Sequence, residues 1–154
     1  MAVVRKSKIY FFFEKPAHLP NRTKLKQFIE AIFKKEKRKL HRVNYIFCGD
    51  KQLLAINRQY LNHDYYTDII TFGFSKKMIP IEGEVYISID RIRENALVFR
   101  ESINRELHRV IVHGALHLCG YRDKSIDEKA KMGKREDFYL GLYLRNVPRD
   151  TFSP

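Results

Sequence analysis

His113-Gly114-Ala115-Leu116-His117-Leu118-Cys119-Gly120-Tyr121-Arg122-Asp123 is the one stretch of this chain in which spacing and residue type together specify chemistry. Residues four apart on an α-helix share a face and stand about 6 Å apart along the axis, so His113 and His117 can aim both imidazoles at one ion. Glycine adopts left-handed backbone angles at little cost, which lets the chain leave the helix at Gly120 and bring the Asp123 carboxylate back to the same point. Two histidines at this spacing are by themselves a weak signal, because a half-buried helix face often carries hydrogen-bonded histidines. A glycine turn and a third ligand at the right offset strengthen it, since a catalytic zinc site uses three protein ligands and keeps one position open. The pattern His-x3-His-x2-Gly-x2-Asp predicts a metal site on a helix and the turn after it, with His113, His117 and Asp123 as ligands.

A helix that presents ligands has to be held rigid. Ser102 is placed to cap it, and Ile103, Leu107, Val110, Ile111, Gly114 and Leu118 recur at helical spacing as its buried stripe. Downstream, Ser125-x-x-Glu128 reads as a capping box that opens a last helix with Met132, Tyr139, Leu140 and Tyr143 in line. Upstream, Ile9-Tyr10-Phe11-Phe12-Phe13 predicts a short strand, apolar on both faces and therefore expected to be covered on both. Pro20 and Asn21 introduce a helix with an apolar stripe of Leu25, Phe28, Ile29, Ile32 and Phe33. A strand over 43–48 ends at Gly49-Asp50, which is expected to cap a helix carrying Leu53, Ile56 and Tyr60 on its inner face. After a polar turn, in which His63 reads as a surface histidine rather than a fourth ligand, Thr67-Asp68 leads into a strand over 69–72. Val85, Ile87 and Ile89 alternate with Tyr86, Ser88 and Asp90 as a half-buried strand, and Asp90 is expected to cap a helix with Ile92, Ala96 and Phe99 inward. The tail from Pro148 is expected to fray. The order predicts an α+β fold, a four-stranded mixed sheet packed with about five helices mainly on one face.

At 154 residues the chain reads as one domain, 1–154, able to bury a core without staples. Its apolar runs are short for a membrane span and its first residues lack the apolar segment of a signal peptide, so a cytoplasmic protein is expected. Cys48 and Cys119 form no metal or redox motif and read as thiols in a reducing compartment, with no disulfide partner. The net charge of +12 is concentrated at the start, where residues 1–42 hold thirteen Lys or Arg against three acids. The cluster Lys34, Lys35, Lys37, Arg38 and Lys39 closes a helix whose dipole its cations complement. That role leaves most of the excess charge unexplained, whereas a polyanion releases counterions at each neutralised phosphate, so these five residues are the expected RNA-binding surface.

The metal stretch resembles the signature HGxLHLxGYDH of the YbeY family of bacterial ribosomal RNA maturation endoribonucleases, in which three histidines hold zinc. His113, Gly114, Leu116, His117, Leu118, Gly120 and Tyr121 match it. Residues 57–72 resemble the family segment NxxYRxxDxPTDVLSF, and Gly83-Glu84-Val85-Tyr86-Ile87-Ser88 resembles its strand GDIxIS, so the likeness runs from about residue 43 to about residue 136. Three departures matter. Asp123 stands in place of the third histidine, Arg122 in place of the aspartate before it, and Leu61 in place of an arginine.

A three-ligand zinc ion brings the pKa of a bound water toward about 7, which makes hydrolysis the expected reaction class. A zinc protease of the HExxH type needs a glutamate after the first histidine, and here that residue is Gly114. Phosphodiester cleavage needs the metal and a cation for the developing charge. The resemblance therefore implies a zinc-dependent endoribonuclease that prefers single strands and acts on ribosomal RNA and ribosomal particles, in maturation of the small-subunit RNA and in ribosome quality control. With Leu61 lacking the family's cation, Arg58, one helical turn away, or Arg122 is the expected phosphate-binding group. Two other readings stay open: an RNA-binding ribosome-assembly factor with a structural metal, and a non-haem iron oxygenase, which also uses two histidines and a carboxylate.

Overall fold

A computed structural model describes residues 6–74 and 79–144, and the expected frayed tail from Pro148 lies outside the described residues. The elements are β1 Ile9–Phe13, α1 Arg22–Lys35, β2 Leu40–Cys48, α2 Asp50–Leu61, β3 Ile69–Gly73, β4 Ile81–Ser88, α3 Ile89–Phe99, α4 Ile103–Leu118 and α5 Ile126–Leu144. The sheet order is β1-β2-β4-β3. β1, β2 and β4 run parallel, and β3 pairs antiparallel with β4, placing Ile69 opposite Ile87 and Gly73 opposite Gly83. This is the four-stranded mixed sheet with five helices that the alternation of segments predicts.

The main core lies on one face of the sheet, where Ile9, Val43, Tyr45, Phe47, Val85 and Ile87 meet the buried sides of α1, α4 and α5. The α1 stripe behaves as expected, with Leu25, Ile29, Ile32 and Phe33 buried and Phe28 half-buried. Met132, Tyr139, Leu140 and Tyr143 likewise bury the inner face of α5, and its capping box is reciprocal: Glu128 N–H donates to Ser125 Oγ at 3.1 Å while Ser125 N–H donates to Glu128 Oε1 at 2.9 Å. On the other face α2 sets Leu53 and Ile56 against Cys48, Ile70, Phe72 and Tyr86.

Several local expectations are corrected. β1 is an edge strand covered on one face only, and Tyr10 and Phe12 are 37% and 48% exposed, because α2 reaches the β3–β4 half of the second face and stops short of β1. A run of five apolar residues has no alternation to say which face stays bare. Ser88, not Asp90, caps α3 through Arg91 N–H, and Asp90 instead accepts the first N–H of α2, from Asp50, at 2.9 Å. Gly49 holds the cap position of α2, and Asp50 accepts from Ser88 Oγ at 2.7 Å and from Arg91 Nε. Tyr60 and Phe99, expected inward, sit in the last turns of α2 and α3 and are exposed, Tyr60 meeting the Phe72 ring edge-on.

Ser102 caps α4 as expected, accepting from Arg105 N–H at 3.0 Å. Ile103 is exposed in this first turn, while from Glu106 onward α4 is buried on nearly every side, since the sheet, α1, α3 and α5 all pack on it. Gly114 lets α4 approach the sheet closely: a Cβ there would meet Val85 Cγ1 at 2.8 Å. No helix among the described residues is long and apolar enough to cross a membrane.

Candidate metal centre

The end of α4 builds the site. Cys119 is the C-cap and Gly120 takes φ +108°, so that Gly120 N–H donates to His117 O at 3.0 Å and Tyr121 N–H to Leu116 O at 3.1 Å. This pair of bonds is a Schellman turn, which a left-handed glycine makes at little cost. Arg38 Nη1 donates to the Cys119 carbonyl at 2.7 Å, satisfying one of the helix's last acceptors from the far side. The Tyr121 hydroxyl donates to Glu36 at 2.7 Å, and Glu36 also receives Tyr139 and Arg135. Burial raises the Glu36 pKa, but these three donors outweigh it and hold the carboxyl below its ordinary value. The turn is thereby tied to both α1 and α5.

That turn carries Asp123 back under the helix. Its Oδ2 lies 3.2 Å from His113 Nε2 and 3.1 Å from His117 Nε2, and the ligand atoms of all three groups lie within 4.8 Å of one another. Donor atoms about 2.0–2.2 Å from a tetrahedral ion stand roughly 3.3–3.6 Å apart, close to what is seen. Each ring's other nitrogen is already engaged. His113 Nδ1 pairs with Glu136 Oε2 at 2.8 Å and His117 Nδ1 with the Tyr121 carbonyl at 2.9 Å. An imidazole that donates from Nδ1 to a carboxylate or carbonyl keeps its Nε2 lone pair for a metal.

With both rings neutral, two Nε2 lone pairs and a carboxylate oxygen face one another. Three acceptors in that position repel unless a cation sits among them, so the donor set fits a divalent metal. Nitrogen–oxygen donors suit zinc among others. In the metal-free state burial lowers the His113 pKa, but the bond to Glu136 and the charges of Glu136, Asp123 and Asp68 outweigh it and raise the group above its ordinary value.

The cluster lines a cleft of about 700 Å³ that also takes Leu61 from the end of α2, His63 and Tyr65 from the chain after it, and Asp68, Glu106, Arg109 and Glu136. Arg109 donates to Glu136 at 3.2 Å and to Asp137 at 3.1 Å. Burial pushes Glu106 up to about 7 and raises Asp68, whose carboxylate accepts from Asn95 at 3.2 Å. Among the described lining residues, four carboxylates face two cations, Arg109 and Lys124. In a chain of net charge +12 this cleft is an acidic exception.

The other expected site residues are elsewhere. Arg58 is exposed, paired with Asp64, and does not line the cleft. Arg122 is exposed on the turn beside Asp123 and does not line it either. Lys34, Lys35, Lys37 and Lys39 are exposed around the end of α1, and Arg38 joins that stretch to the back of the metal turn. His63 lines the cleft but lies outside the three-residue cluster, with its Nδ1 2.9 Å from the Tyr65 hydroxyl. Glu136, Arg109, Asp68 and Glu106 were missed in the sequence. Arg109 and Glu106 precede His113 by four and seven residues and so share its helix face. Glu136 falls within the apolar stripe of α5, and an acid in such a stripe is a signal in itself.

A match to the family described as Endoribonuclease YbeY spans residues 14–143. The chain belongs to the YbeY endoribonuclease family. Proteins named Endoribonuclease YbeY from Cytophaga hutchinsonii and Karelsulcia muelleri are 46% and 43% identical to it, over 90% and 86% of this chain and 98% and 93% of theirs. One from Parabacteroides distasonis is 46% identical over 74% of this chain and 80% of its own. A Thermotoga maritima protein solved in solution shares the fold with a TM-score of 0.61 at 28% identity, covering 90% of this chain and 93% of that one. The family match extends beyond residues 43–136, taking in α1 and most of α5, the two elements that brace the metal turn through Glu36 and supply Glu136.

Proposed function

We propose that this YbeY-family chain is a single-domain, zinc-dependent endoribonuclease that prefers single-stranded RNA and acts in the cytoplasm on ribosomal RNA and ribosomal particles, in maturation of the small-subunit RNA and in quality control. The observation that carries the reading is the convergence of His113 Nε2, His117 Nε2 and Asp123 Oδ2 with both Nδ1 atoms already engaged. His113, His117 and Asp123 would hold the ion. When bound, zinc supplies Lewis-acid polarisation of a phosphoryl oxygen and water of lowered pKa.

The chain's own residues do the rest. Glu136 and the Tyr121 carbonyl fix both rings, and Arg109 fixes Glu136. Glu106, titrating near neutrality in the same cleft, can hold or release a proton there. Gly114, buried against Val85, leaves no room for a protease-type base at that position. The ligands sit on a helix and its following turn, which also weighs against the strand-borne site of an iron oxygenase. Arg58 and Arg122 remain the proposed phosphate cations, to be replaced singly by alanine; loss of cleavage with metal content intact supports the residue concerned.

The test is cleavage of single-stranded and duplex RNA of one sequence, with chelator and after zinc is restored. Metal-dependent cleavage of the single strand supports the reading. Full metal with no cleavage of either would favour an RNA-binding assembly factor whose metal is structural.

A further inference from the structure

The cleft holds a feature that metal binding does not use. His63 and Tyr65 stack with ring centroids 5.1 Å apart and planes 21° from parallel, and the Tyr65 hydroxyl lies 2.9 Å from His63 Nδ1. Both are exposed, Tyr65 by 56%, and both line the cleft that holds His113, His117 and Asp123. An exposed aromatic pair contributes little to a core, yet this one is held firmly. The side chain of Asn57, a residue 1% exposed, donates from Nδ2 to the Tyr65 carbonyl at 3.0 Å, and the main-chain carbonyl of the same residue accepts His63 N–H at 3.2 Å at the end of α2. Asn62, directly before His63, takes the left-handed φ of 54° that ends α2 and turns the chain toward the cleft. The buried Asn57 amide thus fixes the backbone of Tyr65, and the end of α2 fixes that of His63, while both rings face solvent.

The cleft's charge says what such a pair is for. With four carboxylates against two cations, and Leu61 where the family carries an arginine, side-chain charge here does not attract an RNA backbone. Within the cleft itself, attraction is left to the ion and to the bases. Every nucleobase has a π-face, so an aromatic platform binds an unpaired base whatever its identity, and a base inside a duplex is not free to use it.

We infer that the His63–Tyr65 pair is a stacking platform for an unpaired nucleobase of the RNA strand that the metal cluster cleaves. The inference rests on the endoribonuclease reading for the identity of the ligand.

The experiment compares two ligands on the zinc-loaded protein by fluorescence anisotropy: a short oligouridine and an abasic sugar-phosphate chain of the same length. The parent is set beside Tyr65→Ala and Tyr65→Phe, with circular dichroism and bound metal measured for each. Tyr65→Ala is expected to weaken oligouridine binding about 5- to 150-fold, the range for one base stacked on one aromatic ring. Its binding of the abasic chain should match the parent's, and Tyr65→Phe, which keeps the ring and loses the bond to His63, should keep most of the parent's affinity for oligouridine. Equal losses on both ligands, a parent that does not distinguish them or binds neither, or a phenylalanine variant as weak as the alanine one overturns the inference. Base-dependent binding through Tyr65 without any cleavage by the parent would sink the nuclease reading and leave the platform standing; cleavage with binding indifferent to Tyr65 would do the reverse.

Discussion

Glu136, on α5, pairs with His113 Nδ1 on α4 at 2.8 Å across 23 residues of sequence, and the same carboxylate receives Arg109 at 3.2 Å. The bond sets the ring's orientation and tautomer, which leaves Nε2 as the free lone pair aimed at Asp123. Glu136→Gln keeps the shape and removes the charge. Metal affinity, measured by competition with a chromophoric chelator, is expected to fall about 10- to 100-fold, as for other partners of ligating histidines. An unchanged affinity would show that Glu136 does not orient a ligand.

Glu106 gives the cleft a pH dependence of known sign. Burial raises its pKa from 4.5 to about 7, so below pH 4.5 it is neutral in both states and contributes no penalty. As pH rises the unfolded chain ionises first, and the folded state loses stability until the folded pKa is passed, by roughly 3 kcal/mol in all. Glu106→Gln abolishes that titration. Urea unfolding of the metal-free proteins at pH 5 and pH 8 should therefore show a smaller decline for the variant, the difference between the two pH values being the readout. Parallel declines would mean that Glu106 is not held neutral.

How much of this was legible follows from where the information lies. The two histidines proposed as ligands, the Gly120 turn and Asp123 are within eleven consecutive residues, and the geometry of the helix and its closing turn brings them together. The Ser102 and Ser125 caps are equally local and were readable. Glu136 reaches His113 through the packing of α5 on α4, which no local spacing encodes. The exchange of roles between Ser88 and Asp90 has the same origin: either can cap α3, and only the approach of Gly49-Asp50 to that corner decides that Asp90 caps α2. The bare face of β1 was hidden because its aromatic run does not alternate.

Gly114 is a site where the family signature has a packing reason. Alanine there gains about 1 kcal/mol of helix propensity, while overpacking typically costs about 1–3 kcal/mol. Val85 Cγ1 at 2.8 Å and Ile69 Cδ1 at 3.1 Å are both on strands, and a β-branched side chain has little rotamer freedom to withdraw. Gly114→Ala should be destabilised by up to about 2 kcal/mol, seen as a lower urea midpoint at unchanged slope. A midpoint equal to the parent's would show that α4 can lift from the sheet freely.

The basic surface is separable from the cleft. Lys34, Lys35, Lys37 and Lys39 are exposed, whereas Arg38 bonds the Cys119 carbonyl and is left in place. Reversing the four lysines to glutamate should weaken single-stranded RNA binding and flatten its dependence on salt, since fewer counterions are released per strand. An identical slope in a plot of log affinity against log salt would mark these lysines as a solvated helix end and nothing more.

The central claim is that His113, His117 and Asp123 hold one ion on which RNA cleavage depends. It is tested most directly by measuring bound zinc per chain and single-stranded RNA cleavage on the same samples of the parent, the His113→Ala/His117→Ala double variant, Asp123→Ala and Asp123→His. The account expects one ion per chain and cleavage in the parent, neither in the double variant, and a loosened ion in Asp123→Ala. Asp123→His, which restores the family's neutral ligand and so raises the charge of a zinc centre, should keep its ion and shift the acidic limb of its pH-rate profile downward. A double variant that retains a full equivalent of zinc and cleaves RNA at the parent's rate would contradict the account.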